Sequence, residues 1–254
     1  MNAHKFYTLL SVGVIGLSAL LFLGKAVRAD EVSTFQKQAV DTVLQLNRNC
    51  SGTVVDIGVP SSTYILTANH CTTEEAANDA QRGMVSVDEK VHGKLISTEL
   101  LPYDVVVRDT AKDLAIVKVR KEGLFLPTAK IAKEDPREGE QVWTIGYPLG
   151  LTRTVTEGRM GDYEAINKDM TADNFGDAPD GRVMYRATPA LYGGNSGGGF
   201  FIKRNDDYLL VGVSDAGFRQ FFVAGYYVTQ SDVNDLVGRA FKKTAEIEQK
   251  KAND

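Results

Sequence analysis

Basic residues are not in excess in this chain: 29 Lys and Arg stand against 33 Asp and Glu, for a net charge of −4. Without a positive footprint there is no electrostatic drive toward phosphate backbones, so nucleic acid is not an expected partner. Long apolar runs are missing too. The stretch Leu9–Leu23, broken by serines and small residues, falls short of the ~18 residues that span a bilayer. Cysteine is limited to Cys50 and Cys71, and histidine to His4, His70 and His92. No histidine follows residue 92, an absence that separates two folds below.

What is present is a glycine-flanked serine, Gly194-Asn195-Ser196-Gly197-Gly198, and upstream of it Thr67-Ala68-Asn69-His70-Cys71. A serine hydroxyl is a weak nucleophile at neutral pH. It needs an imidazole to take its proton and a third group to hold that imidazole in one tautomer. Glycines at 194 and 197 permit positive φ, which turns the Gly194 and Ser196 amides toward a developing oxyanion. The third group is expected between the histidine and the serine, at the edge of a buried strand. Asp113 opens Leu114-Ala115-Ile116-Val117-Lys118-Val119, an aliphatic, β-branched run that reads as such a strand. Asp104 and Asp109 are rivals by position, in more polar, turn-prone settings.

Chain order then discriminates. The segment around Ser196 also matches G-x-S-x-G, the nucleophile elbow of α/β-hydrolases, but that fold has its histidine after its serine. The order His70, Asp113, Ser196 is the chymotrypsin order.

With TANHC, DLAIV and GNSGG in this sequence, residues 40–240 resemble the chymotrypsin-like (trypsin-like) serine proteases. Within that family the chain is most similar to the HtrA/DegP-type and glutamyl-endopeptidase-like bacterial branches, through Val142–Gly150 followed by Thr154-Val155-Thr156-Glu157-Gly158. The resemblance implies an all-β fold of two six-stranded antiparallel β-barrels with a C-terminal helix. It implies an exported serine endopeptidase that acts through an acyl-enzyme, with His70, Asp113 and Ser196 as triad and the Gly194 and Ser196 amides as oxyanion hole. Three departures accompany it. Asn195 replaces the aspartate that pairs with a newly cut N-terminus in the digestive enzymes, so propeptide cutting is not expected to be needed. No PDZ-like module is expected after the catalytic region. Cys50 and Cys71 match the digestive enzymes' disulfide beside the catalytic histidine, whereas HtrA proteins generally lack it. A disulfide is expected, the alternative being two buried thiols.

Matching the family pattern position by position puts the base of the specificity pocket at Ala190, its walls at Leu191, Ala216 and Gly225, and the substrate-pairing strand at Ser214, Asp215 and Ala216. Asp215 is unusual at its place. The uncharged pocket implies small or medium apolar residues on the acyl side of the cut. Tyr192 stands near the serine, either lining the site or packing. His92, beside Gly93, reads as a surface turn.

The first thirty residues carry Lys5, the Leu9–Leu23 stretch and small residues before Asp30, as a signal peptide does. Residues 1–29 are thus read as a leader, cleaved or retained as a membrane anchor. Residues 30–254 form one protease domain: first barrel 42–120, linker 121–137, second barrel 138–230 and helix 231–250. A short helix is expected at 31–40. Strands are expected at 42–47, 51–57, 63–68, 84–87, 94–98, 103–108 and 114–120. In the second barrel they fall at 141–146, 153–163, 182–188, 200–203, 209–214 and 220–229. Ser231 is the expected N-cap of a helix whose apolar face, Val233, Leu236, Val237, Ala240 and Phe241, packs on the second barrel, and the charged tail from Lys242 frays. The acidic loop 167–181, with Asp169, Asp173, Asp177 and Asp180, invites calcium, but its spacing fits no known loop. No metal or cofactor is expected. The expected partner is a peptide or protein substrate, the expected state a monomer, and the expected location secreted or periplasmic. The alternatives are a catalytically silent peptide-binding member of the fold and a membrane-tethered envelope protease.

Overall fold

A computed structural model describes residues 31–72, 83–91, 94–165, 181–217 and 224–253. The leader, His92, the acidic loop carboxylates and residues 218–223 lie outside them. Thirteen strands are described among these residues. The first six, β1 (Val43–Leu46), β2 (Cys50–Val55), β3 (Tyr64–Ala68), β4 (Met84–Val91), β5 (Lys94–Asp109) and β6 (Leu114–Val119), close into a barrel in the order β1-β2-β3-β6-β5-β4. Next come β7 (Lys130–Ile131), β8 (Gln141–Gly146), β9 (Thr154–Ala165), β10 (Val183–Ala187), β11 (Gly199–Arg204), β12 (Asp207–Gly217) and β13 (Gly225–Val228). Strands β11-β8-β9-β10-β13-β12 close into a second ring through β11–β12 pairing, and β7 adds in parallel to the outside of β12. The chain is therefore an antiparallel double barrel, as its alternating and β-branched runs predict.

Burial falls into three clusters. Leu44, Leu46, Ile65, Val85, Val117 and Val119 fill the first barrel. Met160, Tyr185, Phe200, Val211 and Tyr227 fill the second, where Phe200 stacks on Tyr227 at 3.9 Å between centroids. The third cluster joins the barrels and includes Val55, Leu66 and Ile116 from one side and Trp143, Phe201 and Leu210 from the other. Residues 31–38 are helical (α1) and lay Phe35 on Trp143 and Tyr208.

Several local expectations are corrected. The segments 94–98 and 103–108 are one strand, β5, which carries Pro102 within it and takes up its bend at a register shift between Val105 and Val107. The linker contains β7, a two-residue strand paired with Leu209 and Leu210. The C-terminal helix α2 (Gln230–Asn253) is capped from Thr229, whose Oγ1 accepts the Asp232 N–H at 3.5 Å, and it continues through the tail that was expected to fray. It also packs against β5 and β6 as well as β12, and so lies across both barrels. Its buried face is Val233, Leu236 and Ala240, while Phe241 is exposed.

Candidate active site

The candidate residues meet at the junction of the barrels. β3 ends at Ala68 and turns into a 3-10 turn, Asn69–Thr72, which presents His70 at the surface. A turn after β5 leads to Asp113, whose φ of 49° lies in the left-handed region that aspartate tolerates through local hydrogen bonds. That bend lets one carboxylate serve one histidine twice. Oδ1 accepts the His70 backbone N–H at 2.8 Å, and Oδ2 lies 2.5 Å from His70 Nδ1. The Asn69 N–H donates to the Asp113 carbonyl at 2.9 Å. The two rivals are engaged elsewhere: Asp104 pairs with Arg120, and Asp109 accepts the Lys112 amide and pairs with Arg239.

The His70 side chain is 48% exposed and that of Asp113 18%. Burial of the ring works against its charged form, but the Asp113 hydrogen bond and charge, with a contribution from Asp215, outweigh it and raise the His70 pKa. Burial likewise works against the Asp113 carboxylate, and the His70 hydrogen bond and charge outweigh it, lowering the Asp113 pKa. An imidazole held in this way keeps its proton on Nδ1, the tautomer that a general base needs.

Ser196 arrives from the second barrel on the loop before β11. Gly194 and Gly197 have φ of 97° and 84°, a region closed to most side chains. Asn195, Gly197 and Gly198 donate their amides to the carbonyls of Tyr192, Ser214 and Asn195. Among the described residues the Gly193, Gly194 and Ser196 amides have no such backbone acceptor, so the two expected to face an oxyanion, Gly194 and Ser196, are not committed to the loop's own carbonyls. The Ser196 hydroxyl lies 3.3 Å from the Asp215 carbonyl.

The residue that shapes this loop was missed in the sequence. Ser51, fully buried on β2, donates its N–H to the Ser196 carbonyl at 2.8 Å and its hydroxyl to the Gly194 carbonyl at 2.7 Å. Its hydroxyl also accepts the Tyr147 N–H at 2.9 Å, and its carbonyl accepts the Thr67 hydroxyl at 2.7 Å. The sequence offers little to find it by: it is one of two hydroxyl residues in the short run Cys50–Val55, all of which the fold buries. Next to it, Cys50 and Cys71 form a disulfide that ties β2 to the turn bearing His70.

Of the residues matched to a specificity pocket, Leu191 is buried and Ala190 half-buried. Leu191 lies over the Gly217–Gly225 pair of β12 and β13, so close that a Cβ at Gly225 would stand 2.8 Å from its Cγ. Ser214 is fully buried and Ala216 half-buried, while Tyr192 is exposed. Asp215 turns away from this face, toward Asp113 and His70, and forms an ion pair with Arg182 at 2.8 Å. Arg182 was also missed: its partner is distant in the chain, and nothing local marks it.

A family model for a trypsin-like peptidase domain matches residues 50–213, the span from β2 to the heart of β12. The chain belongs to the trypsin-like peptidase family. Within it, the serine protease PepD of Mycobacterium tuberculosis is 34% identical over 116 residues, 45% of this chain and 24% of that protein. The serine endoprotease DegS of Escherichia coli K12 is 30% identical over 157 residues, 61% of this chain and 37% of that protein. A probable periplasmic DegP-like serine endoprotease of Halomonas elongata is 32% identical over 61% of this chain and 27% of its own length. The chain thus spans about a quarter to just over a third of the curated relatives it matches. Among solved structures, a serine endoprotease from Yersinia pestis superposes with a TM-score of 0.58 at 19% identity, over 83% of this chain and 66% of that one. The active form of the Rv3671c protease from M. tuberculosis gives 0.55 at 22% identity, over 81% and 82%. These two likenesses concern the fold.

Proposed function

We propose that this member of the trypsin-like peptidase family is a serine endopeptidase in which Ser196 is the nucleophile, His70 the general base and Asp113 the group that orients it. The observation that carries the reading is the double hold of Asp113 on His70, through ring and backbone, beside a serine whose loop leaves the Gly194 and Ser196 amides uncommitted. In the reaction the Ser196 Oγ proton passes to His70 Nε2 as Oγ attacks the peptide carbonyl. The oxyanion takes hydrogen bonds from the Gly194 and Ser196 amides, and His70 returns the proton to the leaving amine. Water, activated by the same imidazole, then hydrolyses the acyl-enzyme.

The substrate side chain preceding the cut is small or medium and apolar. The four residues expected to form the pocket, Ala190, Leu191, Ala216 and Gly225, carry no charge, and Leu191 packs close against Gly217 and Gly225. Export is supported by the Cys50–Cys71 disulfide, which an oxidising compartment maintains, and by relatives named as periplasmic. Residues 1–29 act as the leader. Among the described residues no helix is long and apolar enough to cross a membrane.

A fluorophosphonate probe tests the nucleophile. Labelling mapped to Ser196 and lost in Ser196→Ala is the expected result. A folded, oxidised protein that stays unlabelled would instead be a peptide-binding member of the fold. Asp113→Asn should lower turnover by about four orders of magnitude by releasing the wrong imidazole tautomer, and near-normal turnover would remove Asp113 from the mechanism.

A further inference from the structure

The mechanism above uses one carboxylate, and the site holds two. β12 pairs Ser214 with Tyr227 and Ala216 with Tyr226, so Asp215 is the extra residue of a β-bulge. A bulge breaks the alternation of faces and re-aims a side chain. Here it gives one residue contact with both halves of the site. The Asp215 carbonyl lies 3.3 Å from the Ser196 hydroxyl, and its carboxylate reaches back until ligand atoms of Asp215, Asp113 and His70 all lie within 4.8 Å of one another.

Two adjacent carboxylates, both withdrawn from water, do not ionise together without a counter-charge. Arg182 supplies it. Its Nη1 lies 2.8 Å from Asp215 Oδ2, with side chains only 5% and 9% exposed, and its Nη2 donates to the Lys112 carbonyl at 2.6 Å, one residue before Asp113. The guanidinium therefore grips the second barrel's carboxylate and the first barrel's catalytic turn at once. Burial pushes the Asp215 pKa up to about 7, with the Arg182 charge working against it and the Asp113 charge adding to it, so Asp215 carries its negative charge above neutrality.

We infer that Asp215 is a positioning residue for the general base: with Arg182 it holds Asp113 in register with His70 and places a second negative charge behind the imidazole. The inference rests on the triad reading above. Among the described residues, the charged and titratable groups around Asp215 are His70 from the 3-10 turn, Asp113 and Lys112 from the turn before β6, Arg182 ahead of β10, and, beyond Lys112, its ion-pair partner Asp232 on α2. No proton leaves Asp215 during turnover. It acts through the orientation and proton affinity of His70. A pair that only joined the barrels would alter stability and leave the histidine's titration where it was.

The test compares the purified wild-type protein with Asp215→Asn and Asp215→Ala, reading the His70 ring resonances by NMR against pH beside the pH dependence of kcat on a peptide substrate. The His70 signal is assigned by its loss in His70→Gln. Asp215→Asn keeps a hydrogen-bond acceptor for Arg182 and removes the charge, so the His70 midpoint and the acid limb of kcat should fall together by about half a unit or more, with KM little changed. Asp215→Ala removes both and should also lower kcat by about tenfold or more. A folded Asp215→Asn protein whose His70 titrates as in wild type overturns the inference. Carboxyl-13C aspartate in the wild-type protein gives a second readout that needs no folded variant. The Asp215 carboxyl and the His70 ring should report the same two-step titration, and two independent single-step curves would overturn the coupling. Fluorophosphonate labelling in parallel separates the readings. A labelled Ser196 with an unmoved His70 sinks Asp215 alone, whereas an unlabelled Ser196 with a shifted His70 sinks the hydrolase and leaves the coupling standing.

Discussion

At the residue scale, His70 and Ser51 carry the most consequence. Asp113 and Asp215 stabilise the imidazolium, so the folded pKa of His70 lies above its ordinary 6.5. A base must be neutral to accept a proton, so if His70 is the base proposed above, the rate should rise with pH through a midpoint above 6.5. The same raised pKa contributes stability that is full below 6.5 and is lost as pH climbs through the folded value. A kcat profile flat from pH 5 to 9 would take His70 out of the proton path. Ser51 acts on the other half of the site. Its hydroxyl is the shared partner of the Tyr147 amide and the Gly194 carbonyl, all within buried backbone. Ser51→Ala leaves both groups unpaired, which should destabilise the fold by about 2 kcal/mol. Because the Gly194 carbonyl lies on the loop that presents the two amides, kcat should fall more than KM rises. Denaturant melts beside steady-state kinetics measure both, and an unchanged kcat would show that the loop holds its shape without this bridge.

At the element scale, the disulfide fastens β2 to the His70 turn across a sequence separation of 21 residues. On the chain-entropy account, closing such a loop stabilises the fold by about 3 kcal/mol. The Cys50→Ala/Cys71→Ala protein should lose roughly that in a urea titration, and a loss under about 1 kcal/mol would mean that the loop is held by its neighbours alone. The barrels themselves were legible in the sequence, because alternating or β-branched runs such as Leu114–Val119 and Gln141–Gly146 announce strands whatever surrounds them. Elements defined by their partners were not. β7 is two residues long and exists through Leu209 and Leu210, and α2 draws its cap from Thr229 rather than Ser231. Candidate residues divide in the same way. Ser196 and His70 sit in dense local motifs, and Asp113 opens a buried strand. The direction of the Asp215 side chain depends on a bulge in the pairing of β12 with β13, which has no local signature.

At the scale of the whole molecule, the site exists only while two barrels stay in register, since His70 and Asp113 come from one and Ser196 from the other. Reacting groups must be held to within fractions of an ångström, so the ties between barrels belong to the chemistry as well as to the fold. Those ties ring the site. Ser51 bonds to the Ser196 loop, Arg182 bonds to the Lys112 carbonyl, and α2 pairs Asp232 with Lys112 and Arg239 with Asp109. On another side, Arg153, ahead of β9, donates from Nη1 to the carbonyls of Val40 and Val43 at 2.9 and 3.0 Å and lies 3.5 Å from Asp41, with its own side chain only 12% exposed. Arg153 touches none of the three proposed catalytic side chains, so it isolates the mechanical contribution of barrel docking. Arg153→Ala removes a buried donor from both carbonyls, of which that of Val40 keeps the Val43 N–H, and should cost about 2 kcal/mol, a drop in Tm of roughly 6 °C for a domain of this size. At temperatures well below the melt, fluorophosphonate labelling of Ser196 should proceed at close to the wild-type rate, because the remaining ties hold the barrels. If labelling collapses while Tm stays put, Arg153 fixes the relative placement of the two halves more than it holds them together, and the site is tuned from a greater distance than its own hydrogen bonds suggest.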